Sequence, residues 1–209
     1  MAREMGRFIV FEGLDGCGKT TQLNLLSQRL AAARIPAITT REPSDGNILG
    51  MMARGAVKGM FSLENESLAL LFAADRYEHA VKEILPYLNK GITVLCDRYY
   101  FSNFAYQGGH VLLWKLIQYN EPNMSLLKPD AVVFLDTPPG ECSRRLKERP
   151  TRLELFESGD NLITVRRNYF KAFKALKETE NILIIEPGEL SAAVLAEQIW
   201  TRLAPVFNL

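Results

Sequence analysis

The 209-residue chain has little of several features that indicate particular functions. Its 25 lysines and arginines nearly balance 24 acids, so it lacks the basic excess of dedicated nucleic-acid and membrane-surface binders. Cys17, Cys96 and Cys142 are far apart and form no C-x-x-C pair, which argues against a disulfide framework or a zinc site. No run approaches the roughly 20 apolar residues of a membrane span. We therefore expect a cytoplasmic protein with no signal peptide and neither a membrane nor a nucleic acid as partner.

The order of apolar runs along the chain predicts the fold class. Short apolar runs alternate with longer segments of helical periodicity, as in a parallel sheet covered by helices on both faces. The predicted strands are 8–11, 37–40, 92–96, 131–135 and 182–185, and the predicted helices begin near Lys19, Glu64, Val111, Pro139, Asp160 and Ser191. Thr137 is predicted to cap the helix near Pro139. Length and a hydrophobic content of 47% predict a single α/β domain over 1–209.

A phosphate-binding loop follows the first predicted strand. Residues 13–20 read G-L-D-G-C-G-K-T, which matches G-x-x-x-x-G-K-S/T in the strand-then-helix context that this motif requires. Its glycines let backbone N–H groups converge on phosphates, Lys19 reaches the β and γ phosphates, and Thr20 offers a hydroxyl to Mg²⁺. The alternative, a flexible turn that matches by chance, is disfavoured by the flanking elements. The loop predicts binding of a nucleoside triphosphate.

Two classes of phosphate-loop protein lack support in the sequence. A GTPase is expected to carry N-K-x-D after a strand, whereas residues 89–92 read N-K-G-I and precede one. A motor ATPase is expected to show an apolar strand that ends in adjacent acids, and the sequence has none. A small-molecule kinase is left as the favoured class.

Side chains after the next two strands are candidates for a phosphate acceptor site. Arg41 and Arg98 follow the second and third predicted strands, where ligands bind in open parallel sheets, and two guanidinium groups suit a monophosphate. A surface salt bridge is the alternative for each arginine. Phe72 and Arg76 lie one helical turn apart and are candidates for a nucleobase clamp. The spacing alone favours packing of Phe72 in the core.

A basic segment follows the fourth strand. It contains Arg144, Arg145, Lys147, Arg149 and Arg152. Such a run is usually a solvated helical face, but it is also what a lid needs to bring an arginine to the transferring phosphoryl group. Because position 16 is glycine, the phosphate loop itself supplies only Lys19 as a cation.

Taken together, these motifs resemble the thymidylate kinase family of nucleoside-monophosphate kinases. The resemblance rests on residues 11–21, 41–43, 71–76, 97–99, 102–108, 128–130, 135–136 and 152–154, and it spans nearly the whole chain. It implies a three-layer P-loop kinase fold with a five-stranded parallel sheet, helices on both faces and an arginine-bearing lid over about 144–160. It further implies a homodimer that uses Mg²⁺ to transfer phosphate from ATP to dTMP.

The family pattern also implies a role for individual residues of this chain. ATP would be bound by Gly13, Asp15, Gly16, Cys17, Gly18, Lys19, Thr20, Thr21 and Arg145. The dTMP site would comprise Asp15, Arg41, Phe72, Arg76, Arg98, Ser102, Tyr106 and Gln107, with Phe72 stacked on thymine and Tyr106 crowding the 2′ position. Thr20, Glu12 and Asp97 would organise Mg²⁺. Lys19, Asp97, Arg98, Arg149 and Arg152 would be the catalytic residues.

Some positions depart from the family pattern, and two other functions are weighed against the resemblance. Ser44-Asp45-Gly46 replaces a run of small residues, and Thr151 stands where an acid commonly precedes the lid arginine. The alternatives are a kinase of another acceptor, such as a deoxynucleoside, and a nucleotide sensor without catalysis. Intact Lys19 and Arg98 disfavour the sensor.

Overall fold

A parallel five-stranded sheet forms the centre of the molecule in a computed structural model that describes residues 5–148 and 159–208. Its strands are β1 (Phe8–Gly13), β2 (Ala37–Arg41), β3 (Thr93–Asp97), β4 (Ala131–Leu135) and β5 (Ile182–Ile185), in the order β2-β3-β1-β4-β5. The register pairs Arg41 with Asp97 and Gly13 with Leu135. The carboxyl ends of four strands therefore meet at one edge, where ligands bind in such sheets.

Helices connect the strands and cover the sheet. They are α1 (Lys19–Ala32), α2 (Ile48–Val57), α3 (Asn65–His79), α4 (Leu85–Asn89), α5 (Tyr100–Tyr106), α6 (Leu113–Leu126), α7 (Pro139–Lys147), α8 (Gly159–Leu176) and α9 (Ala192–Leu203). A π-helical segment (Ala80–Ile84) joins α3 to α4, and a 3₁₀ turn (Ala204–Phe207) follows α9. Among the described residues, no helix is both long and apolar enough to cross a membrane.

The predicted fold class and all five predicted strands are confirmed. Strands β1 and β4 are buried along their whole length, which explains why each reads as a continuous apolar run. The apolar stripe of α8, formed by Leu162, Val165, Tyr169, Phe173 and Leu176, is also buried. It faces β4 through Tyr169 and Phe173, whose ring centroids both lie 4.9 Å from that of Phe134.

Six predicted helices begin within two residues of their expected positions, whereas no start was predicted for α2, α4 or α5. The cap assigned to Thr137 is wrong, because Pro138 precedes the first residue of α7 and no side chain caps it. The Thr137 hydroxyl instead donates a hydrogen bond of 3.2 Å to the carbonyl oxygen of Cys17. The turn after β4 thus supports the phosphate loop.

Candidate active site

The phosphate loop between β1 and α1 depends on glycine at positions where a side chain would not fit. Gly13, Gly16 and Gly18 have φ values of 144°, 83° and 101°, in the region that favours glycine. A Cβ on Gly13 would lie 2.7 Å from Cys17 Sγ, and one on Gly16 would lie 2.7 Å from the carbonyl oxygen of Cys142. The loop therefore keeps its backbone close to α7 and open to a ligand.

Lys19 begins α1 and folds back over this loop. Its Nζ donates hydrogen bonds of 3.1 Å and 3.0 Å to the carbonyl oxygens of Gly13 and Leu14. The side chain is buried, so the ammonium is held at the helix N-terminus, where backbone N–H groups already favour an anion. Lys19 and the loop together form the positive end of a phosphate cleft.

Thr20 and Asp97 meet at the mouth of the cleft and have the chemistry of a magnesium site. The Thr20 hydroxyl donates to Asp97 Oδ2 over 3.1 Å. The other oxygen, Asp97 Oδ1, is buried and accepts no hydrogen bond from the residues that the structure describes. Mg²⁺ prefers oxygen ligands and usually takes only one or two carboxylates beside phosphates and water. The two side chains thus fit this ion.

Glu12 is buried, and both of its carboxylate oxygens accept hydrogen bonds from groups of the protein. Its Oε1 accepts from the backbone N–H groups of Tyr99 and Ser102 at 2.8 Å and 3.1 Å, and its Oε2 accepts from the hydroxyls of Ser102 and Tyr169 at 2.6 Å and 2.8 Å. Burial raises the pKa of Glu12, although nearby Arg98 and these hydrogen bonds oppose the change. Glu12 anchors the start of α5, and its predicted part in organising Mg²⁺ stays a prediction.

Arg98 stands at the centre of the site in a rarely adopted backbone conformation. Its φ of 77° is unusual for a residue other than glycine, and such outliers cluster at functional sites. The guanidinium pairs with the carboxylate of Asp15 and donates to the hydroxyls of Ser102 and Tyr106, each over 2.9 Å. With 15% of its side chain exposed, Arg98 is not the surface salt bridge considered as the alternative.

Asp15 is kept ionised by its surroundings. Burial by itself would raise its pKa, but the charges of Arg98 and Lys19, together with a hydrogen bond of 2.7 Å from the Tyr106 hydroxyl, lower it to about 2. The carboxylate retains further lone pairs beside these partners, so Asp15 can still accept a hydrogen bond from a ligand.

Arg41 reaches the same cleft as Arg98, as predicted from the strand ends. It is 59% exposed and pairs with Asp45, whose Oδ2 accepts from Arg41 Nε over 2.9 Å, so both the ligand-facing position and the salt bridge are present. Arg54 and Lys58, at the end of α2, line this cleft too. They were missed because α2 was not predicted, although Asn47 caps that helix by accepting from Gly50 N.

A second cavity adjoins the cleft and gathers the residues of the predicted base site. Its lining includes Asp15, Phe72, Arg76, Arg98, Ser102, Tyr106 and Gln107. Phe72 is only half-buried and faces this cavity, so the interpretation of Phe72 as a core residue from its spacing is wrong. The cavity shares Asp15 and Arg98 with the phosphate cleft.

Arg76 lies at the back of this cavity and is 1% exposed. Its Nε donates to Glu42 Oε2 over 2.8 Å, and its Nη1 donates to Asn120 Oδ1 over 2.6 Å. A buried guanidinium needs such a charged partner and full hydrogen bonding. The position of Arg76 is therefore fixed before any ligand enters.

The basic segment after β4 is only partly described. Arg145 lies beside the phosphate loop, where its Nη1 is 3.5 Å from the carbonyl oxygen of Gly16 and its Nε donates to Glu141 over 2.8 Å. Arg144 forms exposed ion pairs with Glu141 and Glu148. For this residue, the interpretation of the basic segment as a solvated helical face therefore holds. Arg149 and Arg152, the predicted catalytic arginines, lie outside the described residues.

Comparison with known proteins now decides the family. A family model described as thymidylate kinase matches residues 11–197. The chain belongs to the thymidylate kinase family. It is 40% identical over 180 residues to a probable thymidylate kinase of Pyrococcus horikoshii, covering 83% of this chain and 85% of that protein. It is 36% identical over 213 residues to the thymidylate kinase of Nitrobacter winogradskyi, covering 96% and 89%. The resemblance predicted from the motifs is confirmed.

Within this family site, a buried polar cluster behind the cavity was missed by sequence reasoning. Glu42 lies between Arg76 and His79, with 2.7 Å to Arg76 Nη2 and 3.4 Å to His79 Nδ1. Asp75 accepts from the backbone N–H of Ser44 over 2.9 Å and so holds the turn after β2. The only local signal was the acid of the Arg-Glu-Pro motif, because the other partners come from distant parts of the chain.

Proposed function

We propose that this phosphotransferase of the thymidylate kinase family transfers the γ-phosphoryl group of ATP to the 5′-phosphate of dTMP, giving dTDP and ADP. One observation supports this most strongly. The phosphate cleft and the base cavity share Asp15 and Arg98, so a monophosphate whose base lies in the cavity would place its phosphate beside the phosphate loop. Proximity of this kind accounts for a large part of enzymatic rate enhancement.

The donor side is formed by the phosphate loop. Backbone N–H groups of the loop, Lys19 and the N-terminus of α1 would bind the ATP phosphates. Thr20 and Asp97 would hold Mg²⁺, which when bound would neutralise negative charge on the ATP phosphates. Arg145 lies beside Gly16 and would contact the donor nucleotide.

The acceptor side uses the cavity and the two arginines at the strand ends. Phe72 offers an aromatic face to the base, and Arg76 is held at the cavity wall by Glu42. Arg41 and Arg98 would bind the acceptor phosphate, while Asp15 would accept from the 3′-hydroxyl. Tyr106, locked between Asp15 and Arg98, would leave little room for a 2′-hydroxyl. Ser102 and Gln107 complete the wall.

The chemical step requires positioning more than acid–base catalysis. The attacking phosphate oxygen is already an anion, so no strong general base is needed, and the protein acts by alignment and charge stabilisation. A Cβ on Gly16 would meet the backbone of α7, so this loop has no room for a cation at that position. The additional positive charge would come from Arg149 and Arg152 of the lid segment at about 144–160, within a single domain spanning 1–209.

The proposal includes a cytoplasmic homodimer. Leu70, Tyr77 and Val81 are 48%, 43% and 42% exposed and form a stripe along α3 and the π-helical segment, since residues seven and four apart share a helix face. Met51, on the adjacent α2, is 59% exposed. Light scattering coupled to size exclusion is expected to give twice the 23.6 kDa chain mass.

The substrate assignment is tested by measuring ADP release with ATP, Mg²⁺ and a panel of acceptors, namely dTMP, dUMP, dCMP, dGMP, UMP and thymidine. Release that is fastest with dTMP supports the proposal. Faster release with thymidine than with dTMP would indicate a nucleoside kinase. ATP binding without acceptor-dependent ADP release would indicate a nucleotide sensor.

A further inference from the structure

The two terminal nitrogens of the Arg98 guanidinium have separate sets of partners. Nη2 pairs with the Asp15 carboxylate and donates to the Tyr106 hydroxyl over 2.9 Å. Nη1 donates to the Ser102 hydroxyl over 2.9 Å and, more weakly, to the Tyr169 hydroxyl over 3.4 Å. Because a planar group that is held at both ends cannot turn freely, these contacts fix the plane of the guanidinium.

Glu12 turns the hydroxyl oxygens of Ser102 and Tyr169 toward Arg98. A guanidinium donates hydrogen bonds and cannot accept them, so the Ser102 oxygen accepts from Nη1 and its one proton points elsewhere. Glu12 Oε2 accepts that proton over 2.6 Å and also accepts from the Tyr169 hydroxyl over 2.8 Å. The two hydroxyl oxygens, which are 3.0 Å apart, therefore present their lone pairs to Arg98.

The Tyr169 hydroxyl is itself held in place by contacts between α8 and β4. Tyr169 is fully buried, and its ring centroid lies 4.9 Å from that of Phe134 in β4. Arg166, three residues earlier and so near the same face of α8, donates two hydrogen bonds, of 2.6 Å and 2.8 Å, to the carboxylate of Asp136. Asp136 directly follows β4. The position of Tyr169 is thus set by the fold before any ligand enters.

The orientation of Arg98 matters because this residue lines both the phosphate cleft and the adjoining cavity. A guanidinium binds phosphate oxygens in pairs, so its plane has to face them correctly. We propose that Tyr169, acting together with Ser102, is a positioning residue that fixes the plane of the Arg98 guanidinium for the acceptor phosphate. This inference rests on the proposed function, because it assumes that Arg98 binds the phosphate that receives the γ-phosphoryl group.

The variant Tyr169→Phe tests the inference because it removes only the hydroxyl. Arg98 keeps its charge and its pair with Asp15, so KM for the acceptor is expected to stay within about threefold of the wild-type value. The guanidinium is less well oriented, so kcat is expected to fall by about tenfold to a hundredfold. Initial rates of ADP release are measured with the nucleoside monophosphate on which the wild type is fastest.

The variant Tyr99→Phe is the matched control. Tyr99 is also fully buried, but its hydroxyl donates to the carbonyl oxygen of Leu127 over 3.2 Å and not to the cluster around Arg98. Loss of either hydroxyl removes a buried hydrogen bond and is expected to lower the urea concentration at the unfolding midpoint. Only Tyr169→Phe is expected to lower kcat as well, which separates positioning from a general loss of stability.

An Arg98→Lys background provides the decisive comparison. An ammonium group has no plane to orient, so in this background Tyr169→Phe is expected to change kcat by no more than about twofold. The low rates of these variants are measured at higher enzyme concentration.

The inference is overturned if Tyr169→Phe has the kcat of the wild type, or if it causes the same loss of kcat with arginine and with lysine at position 98. If Tyr169→Phe does not fold, Ser102→Ala, which removes the other partner of Nη1, decides in its place by the same comparison. Absence of acceptor-dependent turnover in the wild type would refute the proposed function, and the inference with it.

Discussion

Asp15 of the phosphate loop and Arg98, the residue after β3, form a partly buried ion pair between the phosphate cleft and the adjoining cavity. Tyr106 bonds both partners, with 2.7 Å to Asp15 Oδ2 and 2.9 Å to Arg98 Nη2. The phosphate loop thus sets the position of Arg98, the cation proposed to bind the acceptor phosphate. Substitutions at either partner are expected to affect the use of both substrates.

The variant Asp15→Asn tests this coupling. It removes the charge that pairs with Arg98 and is expected to lower kcat/KM for dTMP by about a hundredfold, since Arg98 is left without its charged partner. Steady-state kinetics with either substrate varied provide the measurement. Glu78→Gln is the control, because Glu78 pairs with exposed Lys82, and its kinetics should match those of the wild type. An Asp15→Asn enzyme with unchanged kcat/KM would contradict the coupling.

The variant Lys19→Ala tests the phosphate loop. Loss of the ammonium is expected to reduce kcat by a factor of about 10² to 10³ or more, because positioned charges act mainly on the transition state. Initial rates of ADP release with saturating ATP and dTMP give the value. Lys82→Ala, at an exposed surface pair, is the matched control. Turnover of Lys19→Ala near that of the wild type would rule out the assignment of this loop.

The variant Glu12→Gln separates a structural role from a role in magnesium binding. Glu12 accepts four hydrogen bonds from protein donors, and an amide nitrogen in its place would face one or two of these donors. The free energy of unfolding in urea is expected to fall by about 2 to 4 kcal/mol. The Mg²⁺ concentration that gives half-maximal activity is expected to stay the same. Unchanged stability with a higher Mg²⁺ requirement would show instead that Glu12 acts in magnesium binding and not in holding the fold.

The buried residue His79 makes stability depend on pH. Burial lowers its pKa, but the hydrogen bond to Glu42 and the charges of Glu42, Glu83 and Asp75 raise it above 6.5 overall. The pKa of His79 is therefore higher in the folded than in the unfolded state. The stabilisation that His79 provides is fully present below about pH 6.5 and is lost as the pH rises through the folded-state pKa.

The corresponding measurement compares the wild type with His79→Gln in urea denaturation between about pH 5.5 and 8.5. The difference in unfolding free energy is expected to be largest at the acidic end and to shrink toward the alkaline end. Parallel profiles for the two proteins would show that His79 does not titrate in the folded state in this way.

The fold could be predicted largely because its signals are local. Strands β1 and β4 are buried on both faces and read as apolar runs, and the phosphate loop is a contiguous motif next to one of them. Helix α2 was not predicted because Gly50 and Gly55 lower its helix propensity. Both glycines are buried, Gly50 against the carbonyl oxygen of Ser44 and Gly55 against the ring of Phe61. Helix α5 is only seven residues long, its N-cap residue Tyr99 makes no side-chain cap, and the carboxylate that accepts from its first N–H groups belongs to Glu12, far away in the sequence.

The candidate site was harder to predict, because its geometry depends on pairs that are distant in sequence. Arg76 and Asn120 are 44 residues apart, and Arg98 and Asp15 are 83 residues apart. Nothing in their local sequence indicates that they meet. Arg41 and Arg98 could be identified because a parallel sheet brings the carboxyl ends of its strands together. The helical spacing of Phe72 wrongly indicated a core position, because the same face of α3 borders both the core and the cavity.

Tracing the transferred phosphate tests the central claim most directly. The enzyme is incubated with ATP carrying a radioactive phosphorus in the γ position, with Mg²⁺ and with dTMP, and the products are separated by chromatography. The account predicts that the label appears in the β-phosphate of dTDP and only when dTMP is present. Label in inorganic phosphate at the same rate with and without dTMP would contradict it, as would preferential labelling of thymidine when thymidine is added together with dTMP.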